Sequence, residues 1–85
     1  MSATELRDAL HQHPFQPFRI VMTDGVGFDI RHPDLLMVGI RSATVGIPAQ
    51  PMDELYERTI KVDLLHVIRI EPLQSLALNR DHQAE

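Results

Sequence analysis

The chain has 85 residues, no cysteine and a formal net charge of −4, with hydrophobic residues at 44% and charged residues at 24%. These values describe one packed domain that buries only about 60 to 65% of the surface its unfolded form exposes. They exclude a disulfide framework, thiolate metal sites and default disorder, and Lys61 as the only lysine argues against a nonspecific polyanion binder.

The first residues, MSATELRDALHQ, contain no basic region followed by an apolar stretch, and no run approaches the roughly 18 apolar residues of a membrane span. A cytoplasmic location, with no membrane partner, is the expectation. Ser2 and Glu5 have the spacing of a capping box, so a helix should start there. Leu6, Ala9 and Leu10 share one of its sides, and Pro14 and Pro17 shut it off near Gln12 or His13.

From Phe18 the period changes to two, and FRIVMTDGVGFDIR reads as a hairpin turning at Asp24 and Gly25. A two-residue loop would set Ile20 against Asp29. A three-residue loop, Thr23-Asp24-Gly25 with Gly25 left-handed, instead pairs Met22 with Val26, Ile20 with Phe28, Phe18 with Ile30 and Arg19 with Asp29. Phe15, Phe18 and Phe28 are read as core or helix-packing residues.

In RHPDLLMVG an unbroken strand would bury His32 and Asp34, two polar groups, at a cost of several kcal/mol. The cheaper solution is a corner at His32, Pro33 and Asp34, which bends the second strand. Leu36, Val38 and Ile40 then face Ile47, Val45 and Ala43 around a turn at Arg41-Ser42. The outward set, Met37, Gly39, Thr44 and Gly46, is small and uncharged enough to suggest that something covers it. Residues 49–57 read as a loop, with one helical turn at 53–56 and acidic residues Asp53, Glu54 and Glu57 that could meet a basic partner.

Arg58 to Asp63 alternates with Ile60 and Val62 inward, and Val67 to Glu71 with Ile68 and Ile70 inward. Asp63-Leu64-Leu65-His66 must join them by a tight helical turn that carries the second strand to another sheet edge. Pro72 ends that strand, LQSLALN is a candidate short helix, and residues 80–85 form a polar tail after a single domain over 1–79.

The order is thus mainly β: a short N-terminal α-helix followed by five strands, the second bent. With IKVDLLHVIRIEP as strand, one-turn helix and strand, residues 3–71 resemble the Sm-like branch of small SH3-type β-barrels. The pattern PFRI, DG, HPD, V also resembles that of short bacterial proteins of unassigned function. The Sm-like resemblance implies a barrel that forms rings through its edge strands and holds RNA at the second hairpin's turn and the last turn. In this chain those places point to Arg41, Lys61 and His66, although the usual basic residue and glycine of the last turn are missing and Asp63 would repel phosphate.

Tyr56 is the aromatic expected to be exposed and to make contacts. Only His32, Asp34 and His66 could converge on a metal. No serine has a plausible histidine and aspartate arrangement, and no glycine cluster forms a phosphate loop. The expectation is therefore a non-enzymatic binding module without a cofactor that pairs with itself or a protein partner. An Sm-like RNA-binding protein and a small metal-dependent enzyme are the alternatives.

Overall fold

Ser2 opens the first helix of the computed structural model, which describes residues 1–50 and 55–73. Helix α1 (Ala3–Leu10) carries the complete capping box: the Glu5 N–H donates to Ser2 Oγ at 3.2 Å and the Ser2 N–H to Glu5 Oε1 at 3.1 Å. These bonds hold the Glu5 carboxyl below its usual range, led by the backbone N–H of Ser2. A depressed carboxyl stabilises the fold above its unfolded pKa, and the contribution is lost as pH falls through the folded value. The helix ends at Leu10, two to three residues earlier than the prolines alone suggest, with His11 as its C-cap. Ser2→Ala should lower stability by about 1 kcal/mol in urea unfolding, because Leu6 and Leu10 anchor this short helix in the core.

Strands β1 (Phe18–Met22) and β2 (Gly27–Ile30) form the expected hairpin. Its register sets Phe18 against Ile30, Arg19 against Asp29 and Ile20 against Phe28. The Met22 N–H donates to the Val26 carbonyl at 2.8 Å, and Gly25 sits at φ +90°, where a side chain would be strained. Asp24 Oδ1 accepts the Val26 N–H at 3.0 Å and fixes the turn. Val26, expected inward, lies exposed at the hairpin tip.

The corner forms where expected. His32 is extended, with φ −138° and ψ 143°, and a 3₁₀ turn over Pro33–Leu35 follows, closed by the Leu35 N–H to the His32 carbonyl at 3.0 Å. Its effect is larger than a bend. β2 and β3 (Leu36–Val38) belong to different sheets, so the single bent strand of the sequence reading is two strands. Among the described residues there are six strands in two antiparallel sheets of three, ordered β2-β1-β6 and β3-β4-β5, and neither sheet closes. The expectation of five strands in one closed barrel is corrected accordingly.

The second hairpin slips by two residues from its expected register. β3 pairs with β4 (Ser42–Pro48) as Leu36 with Val45, Met37 with Thr44 and Val38 with Ala43. The turn spans Gly39 to Ser42, closed by the Gly39 N–H to the Ser42 carbonyl at 2.8 Å, and Ile40 at its tip is 88% exposed. Face alternation is blind to a slip of two, since every residue keeps its side of the sheet. Part of the outward set is covered from within: Gly46 is buried under the ring of Tyr56, whereas Met37 is exposed.

β5 (Tyr56–Asp63) begins two residues earlier than the expected Arg58, so Tyr56 and Glu57 leave the loop for the strand. The rest of the helical turn expected at 53–56 lies largely outside the described residues. So do the candidate helix and tail after Leu73. The one-turn helix Leu64–His66 then carries the chain from β5 in one sheet to β6 (Val67–Pro72) in the other, as predicted. A register shift opposite Val21 and Met22 turns Val67 inward and leaves Ile68 half exposed, correcting the expected inward Ile68.

The two sheets and α1 enclose one core, in which Leu6, Ile20, Ile30, Leu35 and Val45 are fully buried. Phe18 is buried with them. Phe15, whose ring centre lies 6.0 Å from that of Phe18, packs against the core, as does Phe28.

Candidate functional site

The two turns singled out by the Sm-like resemblance do meet. The Leu64 N–H donates to the Arg41 carbonyl at 2.9 Å, which ties the β3–β4 turn to the one between β5 and β6. Asp63 shapes the latter from inside, its Oδ1 accepting the Leu65 N–H at 2.9 Å. The Met1 ammonium adds bonds to the carbonyls of Leu64, at 3.2 Å, and Val67, at 3.4 Å.

Asp63 borders two clefts, and they divide the expected contact residues. Lys61 and His66 share a cleft of about 430 Å³ with Thr23 and Asp24. There the Thr23 N–H donates to the His66 carbonyl at 2.8 Å, and Thr23 Oγ1 lies 3.5 Å from His66 Nδ1. Arg41 lines the other cleft, about 620 Å³, with Met1, Ile40 and Leu65. Ile40 and Leu65 are both exposed, so this second cleft has an apolar lip. The Lys61 cleft sets one lysine and a histidine against two carboxylates, Asp24 and Asp63, an arrangement that does not favour phosphate.

Tyr56 lies elsewhere. It starts β5 and Asp63 ends it, a separation of about 23 Å along an extended strand. His32, Pro33 and Asp34 form the corner between the sheets, and Asp24 with Gly25 the first hairpin turn. His32, Asp34 and His66 do not assemble into a metal-binding group: among the described residues no three histidine or acidic side chains are placed to hold an ion. No helix among them is long and apolar enough to cross a membrane.

A third arrangement was only half visible in the sequence. On the outer face of the first sheet, Asp29, Arg19 and Glu71 form one row across β2, β1 and β6. Arg19 Nε donates to Asp29 Oδ1 at 2.6 Å, Arg31 Nη2 to Asp29 Oδ2 at 3.4 Å, and Arg69 Nε to Glu71 Oε2 at 2.7 Å. The hydrogen bond to Asp29 holds the Arg19 guanidinium above its ordinary pKa. The sequence signal available was charge at alternate positions, 19, 29, 31, 69 and 71. What it lacked was the knowledge that β6 lies beside β1.

Comparison with known proteins finds no family model, curated protein or solved structure that matches this chain.

Proposed function

We propose that the chain is a non-enzymatic β module of the SH3/Sm-like kind that works by binding and pairs with copies of itself through β5 and β6. The observation that carries this reading is the position of those strands. Each ends its sheet, so among the described residues one side of its backbone has no strand partner. Unpaired N–H and C=O groups on a strand edge are a template for another strand. The side chains suit pairing: β5 is mostly exposed, and Tyr56 and Ile68 are half exposed on these strands. In a chain of this length a second copy would also extend a small core.

Light scattering after gel filtration is expected to give a multiple of the 9.7 kDa chain, and Ile68→Lys to shift the species toward the single chain. A 9.7 kDa species at every concentration overturns the reading.

RNA binding is the second reading, favoured by the contact between the Arg41 turn and the last turn. Its test is direct: copurifying nucleic acid with raised absorbance at about 260 nm, lost on Arg41→Ala. Asp24 and Asp63 beside Lys61 weigh against it.

A further inference from the structure

The outer face of the first sheet holds a cleft of about 490 Å³, to which β6 contributes Arg69 and Glu71. Its floor is Val21, which alternates with the inward residues of β1 and so points outward, yet is only 5% exposed. Arginine stems can cover such a residue while their charged heads stay in water. Gly27 makes room for one of them: a Cβ there would stand 2.8 Å from Arg19 Cδ. Ile47 and Pro48, from the second sheet, supply an apolar wall.

Three arginines, Arg19, Arg31 and Arg69, line this cleft together with two carboxylates, Asp29 and Glu71. A surplus of one positive charge therefore remains in a chain whose net charge is −4. The carboxylates do more than neutralise. Asp29 takes the Nε edge of Arg19 and Glu71 that of Arg69, which orients both planes and leaves the terminal nitrogens with donors to spare. Arg31 commits only a long contact of 3.4 Å to Asp29. Oriented, unspent guanidinium donors beside an apolar wall fit an oxyanion attached to a flat hydrophobic group.

We infer that this cleft binds a small organic anion, a carboxylate or phosphate head carried on a flat apolar body, with its arginines gripping the head and Ile47 and Pro48 contacting the body. The site stands independently of whether β5 and β6 pair with another chain.

The test is an NMR titration of the full chain, labelled with nitrogen-15, with phenyl phosphate, benzoate and inorganic phosphate as probes. Phenyl phosphate or benzoate should bind with Kd on the order of 1 mM, weakening with salt, and shift the amides of Val21, Gly27, Ile47 and Arg69 together with arginine Nε signals. Whichever of the two binds more tightly identifies the head group. Arg69→Gln, at an exposed side chain, and Arg31→Gln should each weaken binding by about tenfold while leaving the remaining spectrum in place. Absence of shifts with both aromatic probes overturns the proposal and leaves the arginines as partners of Asp29 and Glu71 alone. Shifts that survive the double substitution overturn it too, as does inorganic phosphate binding as tightly as phenyl phosphate.

Discussion

Ile20→Ala is expected to lower unfolding free energy by about 3 to 4 kcal/mol, a large share of the roughly 5 to 15 kcal/mol that holds a small domain together. Ile20 is fully buried on the central strand of its sheet and faces Phe28 on one neighbour and Ile70 on the other. Truncation opens a cavity that neither hydrogen-bonded neighbour can move to fill. The control is Ile40→Ala, the same chemical change at the exposed tip of the β3–β4 turn, which should stay within about 0.5 kcal/mol. Urea unfolding of the two variants measures the difference. Equal losses would mean that the register of the second hairpin is the one the sequence suggested, with Ile40 inside.

Gly46→Val is expected to destabilise by about 2 kcal/mol, although valine favours strands. A Cβ at this position would lie 2.9 Å from Tyr56 Cδ2 and 3.2 Å from Tyr56 Cβ, so the obstruction reaches the root of the side chain and a simple ring rotation does not relieve it. Tyr56 must leave its place over β4. Because the chain has one tyrosine and no tryptophan, its intrinsic fluorescence reports that departure alone. Tyr56→Ala in the same chain should recover most of the loss, since the two residues are in contact and their effects do not add. Failure of the double variant to recover would separate Tyr56 from Gly46.

Much of the first half of the chain was legible in its residues. Ser2 and Glu5 set the helix start through local hydrogen bonds, and Arg19 against Asp29 decided the first register because a one-residue slip would have put charge in the core. The second register was not legible: Leu36, Val38, Ala43, Val45 and Ile47 are interchangeable under a shift of two, and the turn geometry at Gly39 to Ser42 made the choice. The division of the bent strand at Pro33–Leu35 was half legible, as a corner whose consequence for sheet membership depends on contacts far along the chain. The same limit hid the arginine face. Arg69 and Glu71 read as solvated positions until β6 pairs with β1, a partnership between residues some fifty positions apart. Arg41, Lys61 and His66 were named by place in a pattern and Tyr56 by its expected exposure, and three-dimensional geometry sets Lys61 and His66 in one cleft, Arg41 in another and Tyr56 at the far end of β5.

The second sheet occupies an uninterrupted stretch of chain, residues 36–63, whereas the first is assembled from its two ends. Each pairing inside that stretch joins neighbours in sequence, and among the strand pairings of the described residues only that of β6 with β1, from Phe18 to Pro72, must close a long loop. The entropy of that closure falls on one pairing, so the meander is expected to form before the seam between β1 and β6, whose closure is expected to limit the folding rate.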